Sequence, residues 1–141
     1  MSTPRQRLIL NGAIVFAVGL LFGFPAMLEV GDPGFRAWRA AHLSLILSGL
    51  WLLATAGVLP TLVLEARELS ALVWSLLANG YGFMTATPIE AVLGFRATQP
   101  TGSPLVCVAF LGNVIGVLGA LLGALLTIEG ARRALKQPAS G

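Results

Sequence analysis

From Ala40 to Leu64 the chain runs for 25 residues without an Asp, Glu, Lys or Arg. At about 1.5 Å per residue, a helix of that length crosses a hydrocarbon core of about 30 Å. The segment is not alone. Leu8–Leu28, Leu69–Thr87 and Leu105–Ile128 are also free of charge. Only 11% of the 141 residues are charged and 56% are hydrophobic, where a soluble domain carries about 25% charged residues. Lipid offers the backbone no hydrogen-bond partners, so each such run must close its own bonds as a helix. The fold class expected is therefore an all-α integral membrane protein, a bundle of four antiparallel transmembrane helices in one domain. Their approximate limits are 8–29, 36–64, 68–88 and 104–135, with a disordered tail at 136–141.

The connectors support that division. Arg5 and Arg7 precede the first run, as in a signal peptide. The run exceeds the 7–15 apolar residues of a signal core and ends in Phe24, Pro25 and Met27 rather than a small-residue cleavage site, so a retained helix is expected. Glu29–Arg36 holds Gly31, Pro33 and Gly34 and reads as a turn. Pro60 lies near the end of the second helix. The charged turn Glu65–Glu68 is short enough to force a helical hairpin, and Pro88 is expected to kink or end the third helix. Ile89–Pro104 is the longest loop, a lid or a simple link, with Glu90 near the interface.

Four spans put both termini on one side together with the 65–68 turn. That side holds Arg5, Arg7, Arg67, Arg132, Arg133 and Lys136, against Arg36, Arg39 and Arg96 on the other. Six against three predicts cytoplasmic termini in an inner or plasma membrane. The net charge of +3 sits at helix ends, where topology uses it, and does not argue for nucleic acid. Cys107 is the single cysteine, so no intrachain disulfide exists.

Three constellations stand out. Gly19–Gly23, Gly112–Gly116 and Gly119–Gly123 have the spacing that lets helix backbones approach, either within the chain or between copies in a homo-oligomer. His42, the single histidine, lies inside the second span, where an imidazole needs a partner: a metal, a haem iron, a proton path or a neighbouring helix. Trp38 and Arg39 lie one turn before it, and Leu45, Ile46 and Gly49 below it on the same face. An axial imidazole, an apolar surface and a cation suit a haem and its propionates, and an interfacial histidine bonded to a carbonyl explains the same residues. In the third span Ser75, Asn79 and Phe83 share one face, with Tyr81, Met84 and Thr85 beside it and Gly80 and Gly82 leaving room. Interhelical hydrogen bonding and ligand room both account for that stretch.

Trp38–His42, WRAAH, resembles the stretch that opens the second helix of the styrene oxide isomerases, small four-helix membrane proteins that bind haem b and convert aryl epoxides to aldehydes. Val58–Pro60 and Asn79 with its following glycine–aromatic residues add to the resemblance, which spans roughly Gly31–Leu135. It implies His42 as the iron ligand, with Trp38 and Arg39 beside the cofactor, and Asn79 and Tyr81 as catalytic side chains near a small hydrophobic epoxide. Two positions depart from the family. Ser48 stands where an asparagine is expected, and Phe83 where a tyrosine is expected, with Tyr81 two residues away. A haem-binding electron-transfer or sensor subunit and a cofactor-free structural bundle are the alternatives.

Overall fold

The computed structural model describes residues 3–28 and 33–137, all helix and short connectors with no strand among them. Of the expected turn at 29–36, residues 29–32 lie outside the described residues, as does the end of the expected tail, 138–141, and residues 33–36 are helical rather than turn. Helix α1 covers Pro4–Leu21. It opens on a capping box, with the Gln6 N–H donated to the Thr3 hydroxyl and the Thr3 N–H to the Gln6 side chain, and Pro4 takes the first helical position. Its end has a local cause. Pro25 has no N–H to offer the Leu21 carbonyl, so the helix breaks at Phe22 and resumes as α2, Gly23–Leu28.

Helix α3 covers Pro33–Val58, shorter than the limit of 64 read from hydropathy. Pro60 turns its end into a 3-10 turn over Leu59–Thr61, fastened by the Thr61 hydroxyl donating to the Val58 carbonyl. The chain then runs extended, and the Val63 N–H donates to the Gly130 carbonyl. Helix α4, Ala66–Leu93, starts on a Glu65/Glu68 capping box and continues through Pro88 to Gly94, whose φ of 74° ends it. Pro88, expected to kink or end the helix, does not end it; the helix runs five residues further, to Leu93. Packed neighbours let a membrane helix carry an internal proline. In the turns before it, Thr85 and Thr87 donate to the carbonyls of Tyr81 and Phe83. Helix α5, Pro104–Lys136, begins with proline at its first turn.

Two tight pairs, α1 with α3 and α4 with α5, form the bundle. In the first pair Gly12 faces Leu52 and Leu53, Gly19 faces Leu45, and Gly49 faces Phe16. In the second, Gly82 meets Gly112 and Gly116, while Gly119 meets Ser75 and Asn79. The α5 glycines, legible in the sequence as an intrachain or an oligomer seam, are therefore used within the chain. Close packing of small residues is the main attraction available in lipid.

Leu8, Leu52, Leu72 and Leu76 join the two pairs at the end that carries both termini. There Arg133 donates two hydrogen bonds to Glu68, at 2.7 and 2.8 Å, tying the end of α5 to the start of α4. A second cluster of Ala86, Ala97, Val106 and Ala109 closes the opposite end. Leu10, Leu47, Trp74, Leu118 and Leu125 are exposed around the outside, a surface that suits lipid rather than water. Pro4–Leu28, Arg36–Thr61 and Pro104–Lys136 are long and apolar enough to cross a membrane. Helix α4 is less apolar and packs against α1, α3 and α5, with Ser75, Asn79 and Thr87 buried.

Candidate functional site

The break in α1 prepares the site. The last four carbonyls of a helix lack partners within it, and Gly19 is one of them in α1. His42 of α3 reaches this carbonyl with Nδ1 at 2.7 Å. A carbonyl oxygen only accepts, so Nδ1 holds a proton, and in that tautomer Nε2 presents the lone pair. Metal-binding histidines use this arrangement: one ring nitrogen fixed by a backbone carbonyl, the other presented to the ion. No hydrogen bond or ion pair joins Nε2 to the described residues.

A cleft of about 390 Å³ adjoins the ring, lined by Leu20, Gly23, Phe24, Ala26, Met27, Arg39 and His42. Gly23 makes room for it, because a Cβ there would stand 3.2 Å from Nδ1 and Cε1 of His42. The sequence offered Gly23 only as half of a packing motif. Its place beside the imidazole follows from the α1–α2 break at Phe22. Arg39 lines the same cleft. Trp38 does not line it; its ring packs on Phe22 at 5.6 Å and 59°, bracing the break. The face once expected beneath the histidine is covered, with Leu45 buried under Gly19 and Gly49 pressed against Phe16.

The polar groups of α4 point apart. Residues 79 and 81 are separated by about 200° around a helix. Asn79 is buried and donates Nδ2 to the Gly116 carbonyl at 3.1 Å, leaving its Oδ1 without a partner. Tyr81 turns to α1 and donates to Asn11 Oδ1 at 2.6 Å, while Asn11 Nδ2 donates to the Arg7 carbonyl. Neither residue lines a cavity described here.

A larger cavity of about 870 Å³ lies between α3, α4 and α5, under the loop that joins the last two. Ala37, Ala40 and Ser44 form one wall, Phe83 and Thr87 the floor, and Phe110, Val114 and Val117 the far wall. Arg36 and Arg96 stand at exposed positions on its lining. Ser48 is buried one turn beyond Ser44. Glu90 also lines the cavity, and its Oε1 accepts from the Ala97 N–H at 2.7 Å and from Asn113 Nδ2 at 2.8 Å. This linkage was not legible in sequence, because its three members are separated by loop and helix.

Comparison with curated proteins and with solved structures gives no significant match. The family model of styrene oxide isomerase matches residues 4–132, from the first turn of α1 to the last turns of α5. With the match running through all the helices of the bundle, the chain belongs to the styrene oxide isomerase family.

Proposed function

We propose that this chain is a haem b-binding membrane isomerase that converts a hydrophobic epoxide, aryl or related, into an aldehyde. The observation that carries the reading is the His42 imidazole, fixed through Nδ1 to the Gly19 carbonyl and leaving the Nε2 lone pair available beside a largely apolar cleft. The residues fit the group: an imidazole for the iron, Leu20, Phe24 and Met27 for the macrocycle edge, and Arg39 for a propionate. When bound, ferric haem supplies a Lewis acid for the epoxide oxygen.

The chain's own contribution is to hold and to shield. Gly19 fixes the ring tautomer, Gly23 keeps the ring face clear, and the apolar lining excludes water that would otherwise open the epoxide to a diol. Epoxide and aldehyde are isomers, so cleavage of one C–O bond with migration of hydride requires no oxidant or reductant. The apolar cavity floored by Phe83 suits the body of the epoxide. Asn79 and Tyr81 act on the reaction by positioning, holding α4 against α5 and α1.

His42 and Ser44 diverge by about 200° around α3, so one chain does not turn both toward one ligand. A homo-oligomer in which the His42 face of one copy meets the cavity of another brings them together. The six-to-three distribution of basic residues supports cytoplasmic termini.

The test is the absorption spectrum and turnover of protein purified with an adequate haem supply. The parent shows a Soret band that His42→Ala loses. It forms aldehyde from styrene oxide or a smaller terminal epoxide, faster in the ferric than the ferrous state and blocked by cyanide. Absence of the band in the parent removes the reading. Full haem loading without aldehyde from any epoxide points instead to an electron-transfer or sensor subunit.

A further inference from the structure

The segment between α4 and α5, residues 94–103, is fastened at few points. It leaves α4 at Gly94 and approaches α5 at Gly102, with φ of 74° and 97°. A Cβ at either glycine meets nothing within 4 Å, so glycine is required there by backbone conformation and not by crowding. Most of the segment is exposed, and its first residues form one side of the large cavity. The exception is Ala97, only 4% exposed and packed on Ala86, Val106 and Ala109.

The Ala97 N–H donates to Glu90 Oε1, and the same oxygen takes Asn113 Nδ2 from α5. One carboxylate oxygen thus joins α4, the segment and α5. The other side-chain tether is a weak one, from Cys107 Sγ to the Pro100 carbonyl at 3.6 Å. The two bonds to Oε1 are short, at 2.7 and 2.8 Å, against 3.6 Å for the sulfur contact, so most of the directional hold on the segment passes through Glu90.

We propose that residues 94–103 are a lid over the large cavity and that Glu90 is its latch, a positioning residue that sets how far the cavity opens and so which ligands enter. The lid turns at Gly94 and Gly102, whose backbone carries no side chain to obstruct rotation. Release of Ala97 and Asn113 from Oε1 uncovers the space above Thr87 and Phe83. In the proposed isomerase this controls the size of epoxide admitted and keeps water from it. That consequence rests on the functional reading above; the latch itself does not.

The experiment reads access to the cavity directly. In a Cys107→Ser background, Thr87→Cys places a thiol inside the cavity, and its rate of modification by N-ethylmaleimide is followed in detergent. Adding Glu90→Ala is expected to raise that rate about tenfold, the effect of losing the two hydrogen bonds that Oε1 accepts. Glu90→Gln keeps an acceptor oxygen at the same place and is expected to stay within about threefold of the parent. Unchanged labelling in Glu90→Ala, or equal acceleration in Glu90→Gln and Glu90→Ala, overturns the latch.

A second measurement needs no substitution. The Ala97 amide should exchange with deuterium at least about tenfold more slowly than the amide of the exposed Phe95. Equal rates refute the latch even where Glu90→Ala fails to fold. If labelling and exchange behave as expected while no epoxide is turned over, the latch stands and the isomerase reading falls. Turnover with no change in access does the reverse.

Discussion

Replacing Gly82 by alanine tests the central seam of the bundle. An added Cβ would stand 2.6 Å from the Gly112 carbonyl oxygen, 2.7 Å from the Gly116 nitrogen and 2.9 Å from the Gly116 Cα. All three are backbone atoms, so no rotamer change relieves the contact and α4 and α5 must separate. Overpacking of this kind costs about 1–3 kcal/mol. Separation also weakens the bond from Asn79 to the Gly116 carbonyl, and interhelical bonds in membranes contribute about 0.6 kcal/mol on average. Alanine's better helix propensity returns about 0.5–1 kcal/mol, leaving a net loss of about 2 kcal/mol.

Gly57→Ala is the control. That glycine is helical and exposed, with nothing within 4 Å of an added Cβ, so the propensity gain of at most about 1 kcal/mol stands alone. Equilibrium unfolding in detergent, followed by circular dichroism, should separate the two variants by about 2–3 kcal/mol. If Gly82→Ala proves as stable as Gly57→Ala, the α4–α5 contact is not the close backbone seam described here.

Two further substitutions probe the polar contacts. A double-mutant cycle between Tyr81→Phe and Asn11→Ala should give a coupling of about 0.6–1.7 kcal/mol, the range for hydrogen bonds inside membranes, and zero coupling would show that the pair does not form. Gly23→Ala places a methyl 3.2 Å from the His42 ring and should lower the Soret absorbance per protein while the helical spectrum is kept. Full haem occupancy in that variant would free Gly23 of any part in the site.

Much of the bundle was legible in the sequence for a simple physical reason. Crossing lipid is a local requirement on composition and length, so uncharged runs and their bounding charges identify the helices whatever they pack against. Local chemistry also marked a hairpin near Glu65–Glu68, although α3 ends earlier, at Val58 before Pro60, and residues 66–68 already belong to α4. The family likeness of Trp38–His42 was visible too, because it is carried by contiguous residues.

What only the tertiary structure decided is how each helix is rotated and which apolar face meets which. Lipid tails and leucine side chains are equally apolar, so hydropathy cannot choose between a face turned to lipid and one turned to a neighbouring helix; shape complementarity makes that choice. It turned the α5 glycines onto α4, sent Asn79 and Tyr81 to opposite neighbours, and carried α4 through Pro88. It also brought the freed Gly19 carbonyl to His42, 23 residues away in sequence, and gathered Glu90, Ala97 and Asn113 around one oxygen. Those pairings depend on backbone separations set by glycines on two helices at once, and no single stretch of sequence contains both sides of the contact.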